Sequence, residues 1–283
     1  FYTVGKKGEI YKWDKYDQGS AEKVFQYKNW VFEEGVIGNE GKNIAVAGLD
    51  SVIYLWDTSR WGSPYQLIQS GVSNIKTSFS SHQPSIYTGD SKGQIAVWDI
   101  KYQSVEFFKP VSSLTILSLL ENSDGSGILY STNNGEICLY NLSEKRTWFC
   151  ESSGIRGEQQ VLQNHQGQIL LSYNGYGDAV IWDKSLYSSS RFIGGNWIKS
   201  GITHRKNIQL DKKGLNIAVF APSDDLIVFG FKDGGLIVFD AITWEPLINN
   251  FDKRPGITAV NFIDNQHFIT GHIDGAVMRW MIE

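Results

Sequence analysis

The 283-residue chain has little of what would tie it to a membrane, an anionic surface or a disulfide framework. No stretch approaches the roughly 18 consecutive apolar residues of a membrane-spanning helix, so we expect no membrane insertion. The net charge of −4 gives the whole molecule no attraction for nucleic acid, so we do not expect it to bind nucleic acid directly. Two cysteines are too few for a disulfide framework and indicate a reducing compartment, hence an intracellular protein of the cytoplasm or nucleus.

The two cysteines, Cys138 and Cys150, flank a predicted hairpin turn near Lys145. Strands paired on either side of this turn would allow the two side chains to face each other. We expect two reduced, mostly buried thiols, and a disulfide is the alternative. The five histidines have no spacing typical of a metal site, so we expect no metal ligands. The chain has no P-loop and no G-x-G-x-x-G motif, and its one G-x-S-x-G match, residues 89–93, is followed by a repeat strand rather than a helix, so we expect no cofactor and no catalytic residues.

One short pattern recurs seven times along the chain: a small residue, an apolar strand, an aromatic residue and usually Asp. Its last positions are 14, 57, 99, 141, 183, 240 and 281, separated by 43, 42, 42, 42, 57 and 41 residues. A period near 42 with several short strands per repeat is typical of the blades of a β-propeller. The sequence therefore predicts an all-β, seven-bladed β-propeller of four-stranded antiparallel blades, as a single domain over residues 1–283.

The first and last repeats are each one strand short. The first has no first strand, and the last, which ends near Trp280, has no fourth strand. We expect an upstream segment to supply both strands and close the ring, because open sheet edges pair with other chains. A ring left open at this junction is the alternative.

The repeats carry two sets of residues that resemble the WD-repeat β-propeller family over the whole chain. Four copies end in Trp-Asp, at Trp13-Asp14, Trp56-Asp57, Trp98-Asp99 and Trp182-Asp183. Predicted turns between the second and third strands of a blade carry the aspartates Asp50, Asp90, Asp233 and Asp274. In the family, such an Asp joins a hydrogen-bond network with a strand Ser or Thr, a His from a Gly-His pair and the Trp. The only Gly-His pair here, Gly271-His272, lies between the second and third strands, so we expect that the full network does not form in the usual way.

The resemblance implies a non-catalytic scaffold or adaptor that presents its loops and rim to other protein subunits. On this basis we expect a monomeric propeller within a multi-protein complex. A propeller enzyme with an active site in the central channel is the first alternative. A nucleic-acid-associated factor that uses the basic segment 184–213 is the second alternative.

The longest spacing, between Asp183 and Asp240, indicates an insertion. We predict that the fourth strand begins near Ser189 and that the extra residues, 196–213, lie between it and the next first strand. Residues 184–213 contain seven basic and one acidic residue, a charge of +6 in a chain of −4. The predicted partner-binding residues are Trp197, Ile198, Lys199, Arg205, Lys206, Lys212 and Lys213. The alternative is a solvated loop with Trp197 packed on a neighbouring blade.

Arg60 and Trp61 are secondary candidates for partner binding. They lie in the predicted turn between the third and fourth strands of the second blade. Three further tryptophans lie outside the repeat signature: Trp30, Trp148 and Trp244. We expect most of them to pack in the core or along sheet edges.

Overall fold

The computed structural model describes residues 1–14, 21–27, 30–38, 40–68, 73, 75–108, 114–155, 157–183, 191–193, 196–198, 203–210, 213–251 and 254–282. For residues 33, 183, 191–193, 196–198 and 203–205 it describes the backbone alone. The secondary structure of the described residues consists of 28 β-strands. In this part of the chain no helix is long and apolar enough to cross a membrane.

The strands form seven antiparallel blades in an all-β, seven-bladed β-propeller, which confirms the predicted fold class. We number the blades in chain order and call the strands of a blade a to d. Blades 1 to 3 contain β1 (Tyr2–Val4), β2 (Glu9–Trp13), β3 (Ala21–Gln26); β4 (Phe32–Gly38), β5 (Asn43–Gly48), β6 (Val52–Asp57), β7 (Tyr65–Ile68); and β8 (Lys76–Phe79), β9 (Ser85–Gly89), β10 (Ile95–Asp99), β11 (Ser104–Phe108).

Blades 4 and 5 contain β12 (Ile116–Glu121), β13 (Gly127–Thr132), β14 (Glu136–Asn141), β15 (Arg146–Ser152); and β16 (Gln159–Gln163), β17 (Ile169–Asn174), β18 (Asp178–Asp183), β21 (Thr203–Gln209). A separate two-stranded sheet consists of β19 (Arg191–Ile193) and β20 (Asn196–Ile198). Blades 6 and 7 contain β22 (Leu215–Phe220), β23 (Leu226–Phe231), β24 (Leu236–Asp240), β25 (Pro246–Asn250); and β26 (Ile257–Phe262), β27 (His267–His272), β28 (Val277–Met281). The described strands of blade 1 are b, c and d, and those of blade 7 are a, b and c.

The chain divides into two compact units. One consists of Phe1–Glu121, Gly125–Asn133 and Leu139–Thr147, and the other of Asn122–Asp124, Asn134–Cys138 and Trp148–Glu283. In the first unit the core includes Ile53, Ile86 and Trp98. In the second unit it includes Leu171 and Phe229. Each of these side chains contributes about 1.5–3 kcal/mol by leaving water.

The strands b and c carry the core, as their near-continuous apolar sequences predict. All residues of β9 and β13 are buried, whereas four of the five residues of the outer strand β11 are exposed. Strand b of blade 3 ends in Gly89 because the first residue of the next strand a occupies the space a side chain would need. A Cβ on Gly89 would lie 2.6 Å from Cγ2 of Ile116. A Cβ on Gly230 would likewise lie 2.8 Å from Cγ2 of Ile257, so blade 3 packs on blade 4, and blade 6 on blade 7, through a glycine.

Candidate functional site

The insertion of the fifth repeat lies between strands c and d of blade 5, so the prediction that it follows strand d is wrong. Strand d is β21, which pairs with β18 so that Asp178 lies opposite Gln209. The long spacing is taken up before β21, in the part of the chain that includes the sheet of β19 and β20. The connection from strand d to the next strand a is short, because β21 ends at 209 and β22 begins at 215. This short connection determines where strand d lies in the sequence.

The predicted partner-binding residues therefore do not belong to one loop. Lys206 is exposed on β21, the outer strand of blade 5, and Lys213 is exposed in the connection to β22. The other five candidates fall outside the described structure, either entirely or by their side chains: Lys199 and Lys212 entirely, and Trp197, Ile198 and Arg205 by their side chains.

Arg60 and Trp61 lie in the turn between β6 and β7. Arg60 is exposed, and its amide donates a hydrogen bond to the carbonyl oxygen of Asp57 at 3.0 Å. Trp61 is partly buried, and the centre of its ring lies 5.7 Å from that of Tyr2. Trp61 thus packs on blade 1, and Arg60 is the more accessible of the two.

In four blades the indole N–H of the repeat Trp donates to a hydroxyl ten residues earlier, on strand b. The donor–acceptor distances are 2.9, 3.1, 3.0 and 2.9 Å for Trp13–Thr3, Trp98–Thr88, Trp182–Ser172 and Trp280–Thr270. In blade 7 the Thr270 hydroxyl also lies 2.8 Å from Nε2 of His272. Nδ1 of His272 lies 2.7 Å from the carbonyl oxygen of Pro255. Blade 7 thus has a network of Trp280, Thr270 and His272, with the His at the end of strand b.

The four turn aspartates, predicted as one class, fall into two classes. Asp90 lies eight residues before Trp98, is 0% exposed, and accepts hydrogen bonds through Oδ1 from the amides of Lys92 and Gln94. This is the position that His272 occupies in blade 7. The other three lie six residues before the repeat aromatic, are exposed, and each accept from the amide two residues later: Asp50, Asp233 and Asp274. Of the four, only Asp90 lies two residues after the hydroxyl residue of a Trp–hydroxyl pair, Thr88.

The aspartates that follow the repeat aromatic cap the turn between strands c and d. Oδ1 of Asp57 accepts from the amide and the hydroxyl of Ser59 at 2.8 and 2.6 Å, and Oδ1 of Asp99 accepts from the amide of Tyr102 at 2.8 Å. The hydrogen bond from the Ser59 hydroxyl, reinforced by its amide, holds the pKa of Asp57 below its ordinary value. Asp14 is exposed, and the side chain of Asp183 lies outside the described part of the chain. These aspartates stabilise turns within the chain.

In or next to the a–b turns of blades 3, 5 and 7, a histidine lies against a carboxylate. The distances from Nδ1 to the nearest carboxylate oxygen are 3.0, 2.8 and 2.9 Å for His82–Glu121, His165–Asp224 and His267–Asp264. Glu121 and Asp224 are buried, whereas Asp264 is exposed. Sequence reasoning missed the first two pairs because their partners are 39 and 59 residues apart. The separation of the first is close to one repeat, which is the signal that would have found it.

Glu121 is the most densely bonded of these carboxylates. It also accepts hydrogen bonds from the Ser80 hydroxyl at 2.5 Å, from the Ser81 amide and hydroxyl at 2.7 Å each, and from the Tyr87 hydroxyl at 2.9 Å. Burial raises the pKa of Glu121, but the hydrogen bonds from Ser80, His82 and Ser81 outweigh burial, so the pKa lies below its ordinary value. Burial also raises the pKa of Tyr87 to about 12. This cluster fastens the a–b turn of blade 3 to strand a of blade 4.

Cys138 and Cys150 form a disulfide, so the expectation of two reduced thiols is wrong. Their Cα atoms lie 4.1 Å apart on β14 and β15, which the turn at Lys145 brings side by side. The inference of a reducing compartment from the cysteine count therefore loses its support. The carboxylate of Glu136 lies close by: one of its oxygens and the two sulfur atoms are all within 4.8 Å of one another.

An aromatic stack joins the connection between β3 and β4 to strand c of blade 2. Trp30 lies between β3 and β4 and stacks on two rings, with its centre 4.3 Å from that of Tyr27 and 3.8 Å from that of Tyr54. The Tyr54 hydroxyl donates a hydrogen bond to Oδ2 of Asp50. Burial, reinforced by this bond, raises the pKa of Tyr54, so the hydroxyl stays protonated and remains a donor. Trp30 is therefore held in place from two sides.

Exposed apolar side chains belong to this stack or lie next to its residues in the chain. Tyr27 is 49% exposed, Val31 46% and Leu49 60%. The Leu49 amide donates to the carbonyl oxygen of Val31 at 3.2 Å, which joins the b–c turn of blade 2 to the connection from blade 1. Gly8 lies against the backbone here, since a Cβ on it would be 2.3 Å from the carbonyl oxygen of Tyr27. We call Tyr27, Trp30, Val31 and Leu49 the aromatic patch.

No protein-family model matches this chain, and no curated protein matches it.

Proposed function

We propose that the protein is a WD-repeat propeller that acts as a non-catalytic platform for other protein subunits, as a monomer within a hetero-complex. The aromatic patch is one of its partner-binding surfaces. The observation that supports this proposal is the stack of Trp30 on Tyr27 and Tyr54, with exposed Val31 next to Trp30 in the chain and its carbonyl oxygen bonded to the amide of exposed Leu49. An intracellular location is part of the proposal and rests on the family resemblance alone.

The Trp–hydroxyl pairs support the WD-repeat part of the proposal. They occupy the same positions in four blades, including blade 7, where the repeat ends in Trp280-Met281 rather than Trp-Asp. Asp90 adds a buried turn carboxylate two residues after Thr88. These are the elements that the family combines in its hydrogen-bond network.

The composition and rigidity of the aromatic patch suit protein recognition. Trp and Tyr dominate the residues that contribute most to binding at protein interfaces. Because the stack already fixes Trp30, a partner that docks here orders few side chains, and the entropic penalty of association is small. Lys6 and Lys7, both exposed just before Gly8, and the exposed Asp50 give the patch a polar border, as in many interfaces.

The test is affinity purification of the full-length protein from its native cell, with quantitative mass spectrometry of what is recovered. The patch variant is Val31→Glu with Leu49→Glu, which places two charges on exposed positions. The matched control is Ile242→Glu with Ile273→Glu, two isoleucines that are 71% and 72% exposed in other turns. We expect the wild type and the control to recover the same stoichiometric protein, and the patch variant to lose it by at least about 30-fold, as for a loss of 2 kcal/mol.

The other outcomes of the purification each argue against part of the proposal. Full recovery by the patch variant would show that the aromatic patch is not the contact. A partner lost with Lys206→Glu instead would return the site to the basic segment 184–213, and a nucleic acid recovered with it would favour the second alternative. No stoichiometric partner for the wild type would contradict the platform itself, and the enzyme alternative would be tested next.

A further inference from the structure

We propose that Glu136, Cys138 and Cys150 form a redox-gated binding site for a thiophilic divalent cation such as Zn²⁺. The disulfide closes the site, and reduction of the two cysteines opens it. This inference concerns blade 4 and does not depend on the platform function.

The backbone already holds the three residues at distances that suit one metal ion. Two sulfurs bound to Zn²⁺ at about 2.3 Å with tetrahedral geometry lie about 3.8 Å apart. With their Cα atoms 4.1 Å apart on neighbouring strands, Cys138 and Cys150 reach this separation by side-chain rotation once the bond between them opens. Glu136 lies two residues before Cys138 on β14, so both side chains lie on the same face of the strand. One oxygen of Glu136 is within 4.8 Å of both sulfurs before any rearrangement.

The donor set selects the kind of cation. Two thiolates and one carboxylate suit Zn²⁺ or Cd²⁺ and suit Mg²⁺ or Ca²⁺ poorly, because the latter prefer oxygen ligands alone. Three protein ligands leave a fourth position for water or an external ligand. Cys150 is exposed and offers an entry route, whereas Cys138 is buried and shields the other side of the site.

The switch between the two states balances as a two-electron reaction. A reductant donates two electrons, the sulfur–sulfur bond breaks, and two protons convert both sulfurs to thiols; a dithiol reductant supplies these protons itself, and water supplies them when the reductant is a phosphine. A dithiol reductant leaves as its own disulfide, and a phosphine leaves as its oxide after taking one oxygen atom from water. Binding of the cation then releases the two thiol protons to solvent as the thiolates and the carboxylate coordinate the metal.

The test compares the full-length protein before and after reduction by a phosphine, which is removed under anaerobic conditions. Zn²⁺ alone is the titrant for calorimetry, and Cd²⁺ is the spectroscopic probe, because two thiolates bound to it produce ultraviolet charge-transfer absorption. We expect the reduced protein to bind one Zn²⁺, to show this absorption with Cd²⁺, and to lose the reactivity of both thiols towards a thiol reagent. The oxidised protein is expected to bind at least about tenfold more weakly.

Glu136→Gln tests the carboxylate without touching either cysteine, so it keeps both the disulfide and the thiol count. We expect its reduced form to bind Zn²⁺ at least about tenfold more weakly. Glu151→Gln is the matched control, because Glu151 is exposed on β15 next to Cys150 and faces away from the site; its affinity is expected to equal that of the wild type. The proposal is overturned if the reduced wild type binds no Zn²⁺, if oxidised and reduced proteins bind it equally, or if Glu136→Gln and Glu151→Gln behave alike.

Discussion

Blades 1, 3, 5 and 7 differ from blades 2, 4 and 6 in the residue that lies ten positions before the repeat aromatic. In the odd-numbered blades this residue is a Thr or Ser, and it accepts the indole N–H of a Trp. In blades 4 and 6 the corresponding pairs are Tyr130 with Tyr140 and Phe229 with Phe239. In blade 2 the residue ten positions before Trp56 is Val46, and the Trp56 indole donates instead to the carbonyl oxygen of Gly62 at 3.2 Å.

The difference shows that the residue type on strand b goes with the type of aromatic residue on strand c. A buried indole N–H needs an acceptor, because leaving it without one costs about 1–3 kcal/mol. A strand hydroxyl supplies the acceptor in four blades, and a turn carbonyl supplies it in blade 2. Phe239 has no donor to satisfy and packs edge to face on Phe229, with ring centres 5.5 Å apart. The repeat thus keeps the same strand geometry with either a hydrogen-bonded Trp or an apolar pair of aromatic rings.

Truncation in an even-numbered blade is expected to have the largest effect. Phe229→Ala removes a fully buried ring from blade 6 and should lower the free energy of unfolding by about 3–5 kcal/mol in urea denaturation. Phe251→Ala is the control, because that ring is 45% exposed and should lose less than about 1.5 kcal/mol. Equal losses of unfolding free energy would mean that the apolar pair is not the main source of stability in blade 6.

The carboxylate in the a–b turn of blade 3 comes next. Glu121→Gln should lower the free energy of unfolding at neutral pH by about 2–3 kcal/mol, because it removes several hydrogen bonds to a charged group. The control Glu106→Gln breaks only an exposed ion pair with Lys145 and should lose at most about 1 kcal/mol.

The pH dependence of stability gives an independent reading of Glu121. Its pKa is lower in the folded protein than the ordinary 4.5, so its stabilisation is complete above pH 4.5 and is lost as the pH falls through the folded value. The free energy of unfolding of the wild type should therefore fall with acid in this range, and Glu121→Gln should flatten that slope. An unchanged slope would argue against the bonded carboxylate.

The Trp–hydroxyl pair is tested by exchanging the strand b residues of blades 2 and 3. Thr88→Val leaves the Trp98 indole without its acceptor and should lower the free energy of unfolding by about 1–3 kcal/mol. The reverse change Val46→Thr should also destabilise, by about 1–2 kcal/mol, because Trp56 already has a partner in Gly62 and the new hydroxyl is buried. In a double-mutant cycle, Trp98→Phe should remove most of the effect of Thr88→Val; additive effects would contradict the pairing.

The two classes of turn aspartate should give the smallest contrast. Asp90→Ala removes a buried carboxylate that bonds two amides and should lower the free energy of unfolding by about 1–2 kcal/mol. Asp274→Ala, at an exposed turn, should stay within about 0.5 kcal/mol of the wild type. Thermal unfolding of both variants is sufficient, and similar shifts in Tm would place the four aspartates in one class after all.

The fold was predictable because its signal repeats: the seven copies of an apolar strand and an aromatic each specify one blade. Strand d of blade 5 was misplaced because it was counted forward from Asp183, although the short connection to Leu215 positions it. The cysteine pair was misjudged because composition indicates a compartment, while the register of β14 and β15 decides whether the sulfurs meet. Trp30 was expected to pack in the core or at a sheet edge, and only the three-dimensional structure shows that it stacks on Tyr54 while its neighbour Val31 is exposed.

The most direct test of the platform proposal is hydrogen–deuterium exchange of the full-length protein, alone and in the complex recovered from its native cell. We expect slower exchange on binding in two segments, residues 21–31 and 43–52, which contain the aromatic patch. Protection confined to other segments, such as the outer strand 203–209, or no protection anywhere, would contradict it.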